Sequence, residues 1–113
     1  MKAINFEHPG EADVLKLMDL PIPSLTKSNQ ILIKVSFAGV NRPDIVQRLG
    51  NYPAPDGHSK ILGLEISGIV LEIGKGVKRF KNGDNVAALV NGGGYAEYCI
   101  AEEETTFKIP ESL

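Results

Sequence analysis

Three glycines in a row, Gly92-Gly93-Gly94, invite a phosphate-binding reading. A phosphate loop needs a strand before it, set glycine spacing, and a following helix whose N-terminal amides face the anion. Here Tyr95-Ala96-Glu97-Tyr98 reads as a strand instead, so the triplet is expected to be a flexible turn, where glycine relieves the steric penalty of unusual backbone angles. Gly74-Lys75-Gly76 has the same status. Soft metal ligands are too few for an ordinary structural zinc site: the single cysteine, Cys99, stands with only His8 and His58. Cys99 lies in an apolar-alternating stretch, which predicts a buried, inert thiol with no intramolecular disulfide partner. The run Glu102-Glu103-Glu104 reads as a solvated loop. At Asn41-Arg42-Pro43-Asp44 a capping residue, an early proline and an acid mark a helix start, with Asp44 complementing the helix dipole.

The elements that would position these groups are short. Residues 2–7 and 14–18 are expected as strands on either side of a turn-rich segment, with Pro21 and Pro23 then interrupting pairing. The clearest strand is Gln30 to Ala38, where Ile31, Ile33, Val35 and Phe37 share one face by the two-residue period. One short helix follows, with Ile45, Val46 and Leu49 as its apolar side and Gly50 as its end. Residues 51–60, with Pro53, Pro55 and Gly57, form a loop. Further strands are expected over 66–73, 86–90, 95–101 and 106–109. Several short strands and one helix suggest a partly closed β-barrel, which limits exposed sheet edges.

A chain of 113 residues with 42% hydrophobic and 23% charged residues is ordinary for one globular domain with a single core. A formal net charge of -2 calls for neither nucleic acid nor a membrane surface. No apolar run reaches the roughly 20 residues of a membrane span, and Met1 to Gly10 lacks the basic start and apolar core of a signal peptide, so a cytoplasmic protein is expected.

One series of motifs says more. Gly39-Val40-Asn41-Arg42-Pro43-Asp44 is followed by Arg48-Leu49-Gly50-Asn51-Tyr52-Pro53, then by Leu62-Gly63-Leu64-Glu65-Ile66-Ser67-Gly68. Gly74-Lys75-Gly76-Val77, Phe80-Lys81-Asn82-Gly83-Asp84-Asn85-Val86 and Gly94-Tyr95-Ala96-Glu97-Tyr98 complete it. In order and spacing, over essentially the whole chain, this resembles the catalytic domain of the medium-chain dehydrogenase/reductase superfamily. The resemblance implies a GroES-like, partly open β-barrel with one or two short helices over residues 1–113, and a cofactor-binding Rossmann domain that these residues do not include.

Two departures choose the branch. Where the zinc enzymes of that superfamily carry a cysteine ligand this chain has Asn41, and where they carry Gly-His-Glu it has Gly63-Leu64-Glu65. Leucine cannot ligate a metal and an asparagine amide is a poor zinc ligand, so no metal is expected here. The remaining pattern is similar to the zeta-crystallin-like NADPH:quinone oxidoreductases, in particular the tumour-suppressor-induced quinone reductase branch. That likeness implies NADPH, bound mainly by the Rossmann domain, a quinone or carbonyl substrate in the cleft between the domains, and a homo-oligomeric parent enzyme. It assigns Tyr52 to the cleft as the catalytic candidate near nicotinamide and substrate, and Asn41 to a polar contact with the nicotinamide ribose region.

Each assignment has a structural alternative at this level. Tyr52 could simply stack on Pro53 and Pro55, and Asn41 could be only a helix cap, or both cap and cofactor contact. Glu65, with no metal to border, is expected to pair with Arg42 or Arg48. Gln47 and Arg48 could reach a phosphate or substrate, but exposed helix polarity explains them as well. The functional expectation is the substrate-side domain of a zinc-independent NADPH-dependent reductase of quinones or related carbonyls, inactive by itself. An enoyl-thioester or enone reductase, or a co-chaperonin-like binding module without chemistry, remains open.

Overall fold

In the computed structural model, residues 1–51 and 53–112 are described. β-branched residues at every second position give the chain its main sheet, five antiparallel strands in the order β6-β3-β4-β5-β7. These are β3 (Gln30–Ala38), β4 (Glu65–Ile73), β5 (Asn85–Leu89), β6 (Tyr98–Glu102) and β7 (Thr106–Lys108). A separate pair, β1 (Lys2–Asn5) and β2 (Lys16–Asp19), is tied on by an Ala3–Ala96 bridge. One α-helix, α1 (Arg42–Arg48), follows β3, and single 3-10 turns cover Ala12–Val14 and Glu103–Thr105. The sheets do not close, so the fold is mainly β, a partly open barrel of GroES-like type.

Ile31 and Ile33 of β3, Ile66 and Val70 of β4, Val86 of β5 and Cys99 and Ala101 of β6 meet in a single core, as their alternation requires. Register breaks where Val35 pairs with Gly68 but Phe37 pairs with Ser67, next to it on β4. This bulge turns the end of β3 over, because the side-chain period is two and one extra residue exchanges the faces. Phe37, expected on the apolar face with Ile31 and Ile33, is therefore 77% exposed.

The helix departs further from its pattern. Of Ile45, Val46 and Leu49, the expected packed side, Val46 is half-buried but Ile45 and Leu49 are 36% and 39% exposed, and the buried residues of the helix are Asp44 and Gln47. Asp44, at 3% exposure, finds polar partners beneath the helix, so hydrogen bonding rather than apolar contact fixes which side faces in. The helix ends at Arg48, capped by Leu49, and Gly50 follows at φ 91, close to the expected boundary. Tyr95 to Glu97 lie outside the ladder of β6 and bond elsewhere: Ile4 donates to the Tyr95 carbonyl at 2.8 Å and Val35 to that of Glu97 at 2.8 Å.

Candidate functional site

Asp44, at the third position of α1, reaches back to the backbone of the N-cap Asn41, the carboxylate half of a capping box. The Asn41 backbone N–H donates to Asp44 Oδ2 at 3.0 Å, and the Asp44 N–H donates to the Asn41 carbonyl at 3.0 Å. The Asn41 side chain has a different partner, since Nδ2 donates to Glu65 Oε1 at 3.2 Å. Backbone and side chain of this residue thus have separate partners.

Asp44 does more than start the helix. Its Oδ2 also accepts the hydroxyl of Tyr95 at 2.6 Å, a short, charge-assisted bond. Burial first, and then the hydrogen bond and charge of Asp44, hold the Tyr95 phenol well above the usual tyrosine range, so it stays a donor at any ordinary pH. Among the described residues Oδ1 of Asp44 is buried without a partner, so this carboxylate rests on the Tyr95 and Asn41 donors.

Glycine places Tyr95 beneath the helix. Gly63 has φ 107, and a Cβ on it would lie 2.7 Å from Gly94 Cα. Without side chains at these points the two segments zip together: Gly93 donates to Ile61 O at 2.8 Å, Gly94 to Gly63 O at 3.1 Å and Tyr95 to Leu62 O at 2.9 Å. The triplet is a turn, as expected, but a tightly bound one rather than a flexible one. Amides spent on carbonyls offer nothing to a phosphate. The amides of Gly74 and Gly76 are likewise taken, by Gln30 and Ser28.

Glu65 corrects a sequence expectation. It is exposed and makes no ion pair with Arg42 or Arg48; Arg48 Nε instead donates to the Gly10 carbonyl at 3.1 Å. Water and the Asn41 amide satisfy the carboxylate, which removes the need for a buried cation. Its side chain lies over Gly39, where a Cβ would come within 3.0 Å of it.

Gln47 is also corrected, being buried rather than part of an exposed polar surface. With Asn5, Pro9, Gly50, Pro53 and Lys60 it lines a cleft of about 280 Å³. Tyr52 lies outside the described residues. A larger groove of about 580 Å³ runs between Leu20–Pro23, Ile61 and β6, and shares no residue with the Asn41 network.

The remaining candidates are structural. Cys99 is buried, and burial pushes its thiol up to about 12, as an inert side chain requires. Glu102-Glu103-Glu104 is not a free loop. Glu103 Oε2 accepts the backbone amides of Arg79 at 2.8 Å and Lys78 at 2.9 Å, which, Arg79 foremost, hold its carboxyl below the usual range. Glu102 and Glu104 accept from Asn29. Among the described residues no three His, Cys, Asp or Glu side chains gather as a metal site would need, and no helix is long and apolar enough to cross a membrane. Tyr95 stood in the sequence only as part of a family motif, and its bond to Asp44 gave no signal, because no local spacing links positions 51 residues apart.

Comparison with known proteins gives these features a setting. Residues 27–111 match the family model of the alcohol dehydrogenase GroES-like domain. The chain is 40% identical over 115 residues to pig quinone oxidoreductase, covering 100% of itself and 35% of that protein. It is 33% identical over 124 residues to tomato 2-methylene-furan-3-one reductase, of which it covers 32%. The structure of Escherichia coli quinone oxidoreductase complexed with NADPH superposes with a TM-score of 0.88 at 28% identity, over 100% of this chain and 34% of that one. The chain thus spans about a third of the length of these relatives.

Proposed function

Because this chain belongs to the alcohol dehydrogenase GroES-like domain family, we propose that it is the substrate-side domain of a zinc-independent, NADPH-dependent oxidoreductase that reduces quinones or related electrophilic carbonyls. The observation that carries this reading is the held carboxamide of Asn41, an amide fixed at a helix N-terminus where a zinc enzyme needs a thiolate. With Leu64 in place of an imidazole, the donor set does not suit zinc. No step is routed through a metal. The relatives named quinone oxidoreductase, one of them complexed with NADPH, support the cofactor and substrate class.

In this reading NADPH, held mainly by a Rossmann domain outside these residues, supplies a hydride. Quinone, NADPH and one proton would give the hydroquinone and NADP+. Asn41 would meet the nicotinamide ribose side through the N–H of its amide not used by Glu65, so its part is orientation. The phenol of Tyr52 would face the acceptor carbonyl, where negative charge develops, and donate to that oxygen. Asp44 and Tyr95 act only on their neighbours, since the Tyr95 proton is already committed. The likeness to 2-methylene-furan-3-one reductase favours an enone as second acceptor class, reduced at the β-carbon with the same phenol on the enolate oxygen.

The test is steady-state NADPH oxidation by the full-length enzyme with quinones and enones as separate acceptors. Quinone-dependent turnover is expected, about 10- to 100-fold slower in Tyr52→Phe, and absent from residues 1–113 alone. Undiminished turnover in Tyr52→Phe would remove the phenol from the mechanism, and no turnover with any acceptor would remove the reading.

A further inference from the structure

We infer that Glu65, and Tyr95 acting through Asp44, are positioning residues for Asn41; the functional part of this rests on the cofactor contact proposed above. An unheld asparagine at a helix start can exchange its amide nitrogen and oxygen by rotation about its last side-chain bond. A carboxylate only accepts hydrogen bonds, so Glu65 Oε1, 3.2 Å from Nδ2, selects one orientation and opposes the other by repulsion with the amide oxygen. Gly39, lacking a side chain beneath Glu65, leaves room for that carboxylate.

The backbone of Asn41 is held from the opposite side. Its N–H is fixed on Asp44 Oδ2 at 3.0 Å, and that oxygen is itself fixed by the Tyr95 hydroxyl at 2.6 Å. Among the described residues Oδ1 of the same carboxylate has no partner, so loss of the Tyr95 donor leaves the buried carboxylate with the Asn41 N–H. Asp44 would then rotate toward other donors, and the residue it caps would move with it. Glu65 therefore sets which way the amide points, and Tyr95 with Asp44 sets where it stands. Glu65 lies 24 positions from Asn41 in sequence, and Tyr95 lies 51 from the Asp44 it fixes.

Two readouts test this. In the 113-residue chain, the side-chain amide proton resonances of Asn41 are expected to be well dispersed, and to collapse toward the free-amide position in Glu65→Ala and, less far, in Tyr95→Phe. Unchanged Asn41 resonances in Glu65→Ala would overturn the clamp. In the full-length enzyme, Glu65→Ala is expected to raise KM for NADPH about tenfold, the weight of one hydrogen bond, with kcat changed less than about twofold. Placed on Asn41→Ala, the same substitution should add nothing, because the group it positions is gone. A full additive effect would make Glu65 an independent contributor and overturn the inference. If wild type oxidises NADPH with quinone while Asn41→Ala keeps its KM, the functional role of the clamp is wrong and the reductase reading stands. If wild type oxidises no NADPH, both fall together.

Discussion

The barrel interior and the corner under α1 solve burial in opposite ways. Inside, Ile31, Ile33, Ile66, Val70 and Val86 meet side chain to side chain with no polar atom to satisfy. Under the helix, Asp44 and Gln47 are buried while Ile45 and Leu49 are only partly covered. The interior is held by dispersion and water exclusion, which tolerate any well-shaped apolar neighbour and lose stability in proportion to the volume removed. The corner is held by a few directed bonds, Tyr95 to Asp44 and Asp44 to Asn41, which fix a position and leave the system sensitive to single atoms. Rigid placement of a polar side chain needs the second kind of construction, and Asn41 is where this chain uses it.

That contrast can be broken most forcefully in the interior. Ile33→Ala should lower stability by about 2–5 kcal/mol, since its side chain is fully enclosed and the surrounding strands cannot close the gap. Urea unfolding would read it, and a loss below about 1 kcal/mol would mean that the interior is loosely packed.

A smaller effect tests how dry that interior is. The Cys99 thiol is pushed up to about 12 by burial, whereas the unfolded thiol titrates near 8.5, so the unfolded chain releases its proton first. The stability held in the protonated thiol is complete below about pH 8.5 and is lost as pH rises toward about 12, at no more than about 1.4 kcal/mol per pH unit. Urea midpoints from pH 8 to 11 should fall more steeply in wild type than in Cys99→Ala. Equal slopes would show that water reaches the thiol.

The smallest effect belongs to the helix surface. Ile45→Lys and Leu49→Lys should each lower the stability of this chain by about 1 kcal/mol, because at 36% and 39% exposure each side chain is only partly packed. A loss above about 2 kcal/mol in thermal unfolding would mean that the apolar side of α1 is buried after all, and the comparison between the two regions would fail.

Local pattern alone determined much of this protein. Alternation at Ile31 and Ile33 gave the buried face of β3, Asn41-Arg42-Pro43-Asp44 gave the start of α1, and the stretch around Cys99 gave its inert burial, because each depends on residues within a turn or a strand of one another. The order and spacing of the glycine-rich motifs also carried the family, which the match over residues 27–111 bears out. Tertiary structure decided the rest. The bulge before Phe37 depends on how β4 runs beside β3, and the inward side of α1 depends on a phenol delivered by the Gly63–Gly94 contact. The partners of Glu65 and Asp44 lie far away along the chain, and a hydrogen bond between distant residues leaves no period or spacing by which it could be read beforehand.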